Sequence, residues 1–232
     1  MNSDFKARGA RGEIWLYDPV GSNFMGDGIS AKIFQRELTA LGPVSSIHLR
    51  INSPGGDVFD GFSIYNQLRA HPAKVNVDID GVAASISSII AMAGDTVNVA
   101  QNAMIMIHDP QGMSYGNADE MRRTAALLDQ VKGNLAQTYV DRTGSRIDQI
   151  EQWMSDESWF TADEAVQYGF ADAVTNPSRV TACFDPSMFR HVPEALRKRM
   201  ASAIPTPMLD RHRASLRDNE RRVAAIFRGI PA

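Results

Sequence analysis

Three short stretches carry residue types that together could perform acyl transfer: Asn52-Ser53-Pro54-Gly55-Gly56, Gly81-Val82-Ala83-Ala84-Ser85 and Met106-Ile107-His108-Asp109-Pro110. That chemistry needs a nucleophile, a base to take its proton, a carboxylate to orient the base, and two N–H donors for the oxyanion. Ser85 follows a strand-like run, Lys74 to Asp80, in which Val75, Val77 and Ile79 alternate with polar residues. Gly81 is expected to turn the chain, and the small residues from Ala83 to Ala93 to form a tightly packed helix stopped at Gly94-Asp95. A serine one step inside that helix would meet outward N–H groups and a dipole that favours developing negative charge. The same position suits an ordinary packed serine equally well.

The base is chosen from five histidines. His48 lies within a strand pattern, His71 precedes a proline, and His191 and His212 fall in the C-terminal stretch. His108 alone ends an apolar strand, Met104 to Ile107, and enters a polar loop. Loops after the C-terminal ends of parallel strands are where α/β proteins place their sites. Ser85 and Gly55-Gly56 also follow strand ends, and paired glycines let a backbone approach a substrate closely. Three strand ends on one side would then supply a nucleophile, a base and donors.

The elements that must position them alternate between strand and helix patterns. Strands are expected at Glu13 to Tyr17, Ser46 to Ile51, Lys74 to Asp80, Thr96 to Ala100, Met104 to Ile107 and Phe170 to Val174. Helices are expected from Ile29 to Leu41, after the Asp57 cap, from Asn117 to Arg142, from Ile147 to Met154, and after the Thr161–Glu164 capping box. In the longest, Met121, Ala125, Leu128, Val131, Leu135 and Tyr139 recur at steps of three and four, which predicts one buried stripe or an arm for self-association. The alternation predicts an α/β fold with a parallel-sheet core.

Composition sets the outer limits. The 232 residues, 44 % hydrophobic and 22 % charged, fit one globular domain with an appendage. Residues 1–12 are expected to be flexible. Residues 1–177 hold 13 Lys and Arg against 22 Asp and Glu, whereas residues 178–232 hold 11 against 5. The last stretch is thus a basic, partly helical extension, with an arginine-rich amphipathic pattern from Leu209 to Phe227. The start has no secretory pattern, and the run Gly81 to Gly94 is too short to span a bilayer. The lone Cys183 excludes an intramolecular disulfide and reads as an inert thiol in a reducing compartment. Scattered histidines predict no metal site, and no phosphate loop is present, so no cofactor is expected.

The blocks Ile51 to Gly56, Gly81 to Ser85, Met106 to Pro110 and Thr161 to Asp172 resemble, in order and spacing, the Clp protease proteolytic subunit family. The resemblance covers about residues 13–174. It implies a crotonase-like ββα spiral, with a long protruding helix, a serine protease domain over residues 13–177, and stacked homo-oligomeric rings enclosing a chamber. Carried over residue by residue, it makes Ser85 the nucleophile, His108 the base, and the Gly56 and Ile86 N–H groups the oxyanion hole. The family's aspartate falls on Glu157, with Asp156 as the alternative acid.

Trp153, Trp159, Phe160 and the basic extension depart from the housekeeping subunit. They are more similar to the Clp-related head maturation proteases of tailed phages. That likeness implies a polypeptide substrate such as scaffold or capsid protein, cleaved without an unfolding ATPase, in bacterial cytoplasm or an assembling procapsid. Neither a membrane nor a nucleic-acid partner is expected. The competing readings are a housekeeping-type subunit, an acyl-CoA enzyme of the crotonase class, a non-catalytic shell subunit, and a Ser–Lys enzyme, for which Lys74 and Lys132 are poor candidates.

Overall fold

The computed structural model describes residues 5–8, 10–21, 28–180 and 185–203. β1 (Phe5–Arg8) pairs antiparallel with β2 (Arg11–Leu16), Ala7 opposite Gly12. Part of the segment expected to be flexible is therefore a sheet edge. Folding back covers the backbone groups that β2 would otherwise leave unpaired. Ser30 caps α1 (Ala31–Ala40), β3 (Ser46–Ser53) follows, and Asp57 caps α2 (Val58–Ala70) through the Asp60 N–H.

β4 (Lys74–Ala84), α3 (Ile86–Ala91), β5 (Thr96–Ala100) and β6 (Met104–Ile107) build the centre. From β2 to β5 the strands run parallel, with Ile14 beside Leu49, Leu49 beside Val77 and Val77 beside Val97. That row is fully buried. The turn expected at Gly81 does not occur, and the helix begins at Ile86 rather than Ala83. β4 continues to Ala84 because it changes neighbours: Asn76–Ile79 pair with β5, and Val82–Ala84 pair with β6. Its register against β3 jumps between the Ile51/Ile79 and Ser53/Ala83 pairs, so Gly81 lies in an irregular stretch of a continuous strand.

Asn117 and Glu120 form a capping box on α4 (Ala118–Thr143), and Gly144 closes it with φ 68°. The single buried stripe holds only from Val131 onward. Val131, Leu135 and Tyr139 are buried, whereas Met121 is 51 % exposed and Ala125 is exposed too. The first turns of α4 thus project as an arm.

α5 (Ile147–Ser155), β7 (Ser158–Thr161), α6 (Ala162–Gln167) and β8 (Ala173–Thr175) follow. β7 pairs antiparallel with β6, Ile107 opposite Ser158. The strand expected from Phe170 is shorter, because Phe170 is fully buried against Tyr139 and Phe160 instead of joining β8.

Beyond β8, a 3-10 turn (Pro186–Met188) leads to α7 (Glu194–Ala203). Phe189, Val192, Leu196 and Met200 form a second small core with Val82, Ala84 and Met106 of β4 and β6. The start of the expected basic extension therefore packs on the sheet. Cys183 and the Leu209 to Phe227 pattern lie outside the described residues.

Candidate active site

Ser85 ends β4 and stands at the cap position of α3, one residue before the helix rather than inside it. Its backbone is left-handed, φ 55° and ψ −132°. Among the described residues, the only other non-glycine with positive φ is Glu157, at 52°. Such conformations cost roughly 1–3 kcal/mol each and persist where the surrounding structure imposes them. Both positions coincide with candidate site residues.

The three serines of this stretch separate cleanly. Ser87 and Ser88 are fully buried. Ser87 Oγ donates to the Ala84 and Ser53 carbonyls, and Ser88 Oγ donates to the Ser85 carbonyl while meeting Tyr139 Oη at 2.7 Å. Those two hold the turn. Ser85 faces a cleft that it shares with Gly56, Ile86, His108 and Leu135.

His108 follows β6, whose backbone runs beside the end of β4. That pairing carries the Ser85 N–H onto the Met106 carbonyl at 2.9 Å and places His108 Nε2 2.8 Å from Ser85 Oγ. Burial pushes the imidazole pKa below its usual value, against the upward pull of the Glu157 and Asp109 charges, with Arg190 adding to the downward push. A neutral imbalance of this kind favours an unprotonated ring, which is the form that can accept the Ser85 proton.

Gly55 and Gly56 bring the Asn52–Gly56 loop against the serine. A Cβ on Gly55, φ 91°, would lie 2.6 Å from the Ala84 oxygen and 2.7 Å from Ser85 Cβ. A Cβ on Gly56, φ 146°, would lie 2.1 Å from the Val20 oxygen. Only glycine fits either place. Ile86, the first residue of α3, also lines the cleft, and first-turn N–H groups have no partner within their own helix.

The carboxylates differ sharply. Asp156 is exposed, and its side chain accepts from Gln152 Nε2 at 2.8 Å. Glu157 is 5 % exposed. Its oxygens accept from the backbone N–H groups of Arg190 at 2.9 Å and His191 at 2.6 Å, and from the Trp159 indole at 3.4 Å. Burial alone would raise its pKa, but these donors and the nearby His108 hold the carboxyl below its usual range. No hydrogen bond or ion pair joins Glu157 to His108 among the described residues; the two interact through charge.

The lysine alternatives fall away. Lys132 pairs with Asp109 at 3.0 Å, and Lys74 opens β4 at the end opposite Ser85. Among the described residues, no group of three His, Cys, Asp or Glu side chains is placed to hold a metal ion.

The family model for Clp protease matches residues 10–178. The chain is 32 % identical over 171 residues to ATP-dependent Clp protease proteolytic subunit 1 of Leifsonia xyli subsp. xyli, covering 73 % of this chain and 85 % of that one. It is 32 % identical to proteolytic subunit 2 of Tropheryma whipplei, over 69 % of this chain and 89 % of the other. It is 33 % identical to proteolytic subunit 2 of Parasynechococcus marenigrum, over 73 % and 85 %. The chain belongs to the Clp protease family. It is accordingly a serine peptidase by family, with the α/β, parallel-sheet core of the Clp and crotonase-like fold.

The Clp match stops at residue 178, so Phe189, Arg190 and His191, which reach the site, lie beyond it. In the sequence they fall within the stretch expected to be an appendage. Tyr139 was read only as part of a stripe, although it reaches Ser88 beside the nucleophile candidate. A second cluster went unread: Arg50 pairs with the buried Asp80, and Tyr17 donates to Asp80 at 2.6 Å. Burial, followed by the Asp80 hydrogen bond, pushes the Tyr17 hydroxyl up to about 12. This cluster fastens β2, β3 and β4 together.

Ile86 and Gly55, both packed against Ser85, predict opposite outcomes. Ile86 lines the cleft but packs its side chain in the core, where Cγ1 would lie 2.1 Å from a Cβ on Gly61 of α2. Ile86→Ala should therefore cost about 2–4 kcal/mol of stability yet retain nucleophile labelling at a temperature where it is folded. Gly55→Ala should reduce labelling, since relieving its contact with Ser85 Cβ moves the nucleophile. Thermal unfolding and the rate of fluorophosphonate labelling, measured on both variants, check the pair.

Proposed function

We propose that the chain is a serine endopeptidase in which Ser85 attacks the scissile carbonyl, His108 takes and returns the proton, and Glu157 supports the charged imidazole. The single observation that carries this reading is the 2.8 Å Ser85 Oγ–His108 Nε2 contact at a strained strand-to-helix turn. The Gly56 and Ile86 N–H groups are the donors for the tetrahedral oxyanion. Asp156 is set aside because its side chain turns to Gln152. The product of attack is an acyl-enzyme that water, activated by the same imidazole, hydrolyses. Val58, Leu135 and Met188 give the cleft an apolar lining suited to an apolar substrate side chain.

The substrate is a polypeptide, and the working form is a ring of identical subunits, in keeping with the family. The exposed first turns of α4, with Met121 and Leu127 uncovered, support burial against another copy. Among the described residues no helix is long and apolar enough to cross a membrane.

Two finer roles differ in how substrate arrives. The named relatives are ATP-dependent subunits, which supports a chain fed by an unfolding partner. Trp153, Trp159, Phe160 and the basic stretch after residue 177 support instead a phage head maturation protease that cleaves scaffold or capsid protein unaided, in the cytoplasm or the procapsid. Incubating the purified chain with fluorescent unfolded casein, with and without ATP and a Clp ATPase, separates them. Ser85-dependent cleavage without ATPase supports the unaided role, and cleavage only with it supports the housekeeping one. Intact casein in every arm, with Ser85 unlabelled, overturns the peptidase reading.

A further inference from the structure

Glu157 immediately precedes β7, and apart from a long bond from the Trp159 indole its carboxylate is held neither by that strand nor by a bond to His108. It is held by the chain's own segment after residue 185. Arg190 and His191 donate two consecutive backbone N–H groups to its two oxygens, at 2.9 and 2.6 Å. Two converging N–H donors form a small anion cradle, which stabilises a carboxylate in its charged form. Next to the cradle, Phe189 lies edge-on to His108 with ring centroids 5.9 Å apart, and edge-on to Trp159 at 5.5 Å. The indole of Trp159 in turn points its Nε1 at the same carboxylate. One short segment therefore touches the acid and the base together.

The segment is stiffened before the cradle and anchored after it. Upstream, Asp185 caps the 3-10 turn through the Ser187 N–H at 2.8 Å. Downstream, Val192, Leu196 and Met200 are buried against Val82, Ala84 and Met106, the strand ends that carry Ser85 and His108. His191 adds a side-chain bond from Nδ1 to the Asp156 carbonyl at 2.9 Å, next to Glu157 itself. Glu157 is held in a left-handed backbone, so local strand structure does not dictate where its side chain goes. The cradle does.

We propose that Phe189–His191 is a positioning element for the catalytic acid: its backbone N–H groups hold the Glu157 carboxylate beside His108, and α7 clamps it there. This rests on the peptidase reading above. The extension after residue 178 then belongs to the active site, and its docking sets the activity of the subunit. No new covalent step is involved; the segment acts through Glu157 alone.

The test is a double-mutant cycle in the full-length chain, read as the second-order rate of Ser85 labelling by a fluorophosphonate. His191→Pro deletes one cradle N–H and should slow labelling about tenfold, while His191→Ala keeps that N–H, gives up only the side-chain bond to the Asp156 carbonyl, and should slow labelling by clearly less. In a Glu157→Gln background, His191→Pro should change little, because its effect passes through the carboxylate. Leu196→Asp, which undocks α7 from outside the site, should behave as His191→Pro does, provided circular dichroism shows a folded chain. Equal slowing of both backgrounds, equal slowing by His191→Ala, or faster labelling on undocking overturns the proposal, the last pointing to an inhibitory clamp. Failure of the wild type to label at Ser85 overturns the peptidase reading itself, and is recognised before any variant is compared.

Discussion

Ser85→Ala removes fluorophosphonate labelling altogether and lowers peptide hydrolysis by on the order of 10⁶-fold, with the fold unchanged. The expectation follows from what Ser85 does and does not support. Its Oγ has one hydrogen bond, to His108, and the turn around it is held by Ser87, Ser88 and the Ser85 N–H to Met106. Losing the hydroxyl leaves those bonds intact, so unfolding should shift by less than about 1 kcal/mol. Ser85→Gly sharpens the point. It is as inactive as the alanine variant, but relieves the left-handed strain at φ 55°. The gain is offset in part by the greater freedom of an unfolded glycine. A glycine variant that is inactive and melts no lower than wild type is the signature of strain retained for chemistry. Intact-mass labelling and thermal unfolding on the two variants decide it, and a labelled alanine variant would sink the assignment.

How much of this was legible in the sequence depends on the range of the forces involved. β5 and β6 were read to the residue because each is a short apolar run between turn residues, where local pattern and burial agree. The capping box on α6 was legible in the same way, since a cap is decided within four residues. Gly81 misled because its neighbours were not visible: a glycine inside a strand and one at a turn look alike until the strand is seen to pass from β5 to β6. The buried stripe on α4 failed for the opposite reason. Periodicity continues along the whole helix, but only the turns from Val131 on have a sheet and helices to cover them. At the site, Ser85, His108 and the two glycines stood out through their strand-end positions. The cradle could not, because it is made of main-chain N–H groups, which every residue but proline carries.

Glu157→Gln should lower the limiting rate by between about 10² and 10⁴ and move the acid limb of the pH profile to lower pH. The direction is fixed by the charges facing His108. Burial depresses the imidazole pKa, Glu157 and Asp109 raise it, and Arg190 lowers it. Removing the Glu157 charge deletes the first of the two raising contributions, so the ring stays neutral to more acidic pH. Base availability therefore improves at low pH while the rate falls everywhere. That pairing distinguishes loss of support for the imidazolium in the transition state from loss of the neutral base in the ground state. The fall belongs in the lower part of that range if charge alone links the two groups, as it does in the structure, and in the upper part if Glu157 turns to bond His108 when substrate is bound. Asp156→Asn is the internal control: exposed and bonded to Gln152, it should leave both the rate and the acid limb where they are. An acid limb that moves upward in Glu157→Gln, or an Asp156→Asn variant that reproduces the loss, removes Glu157 from the mechanism.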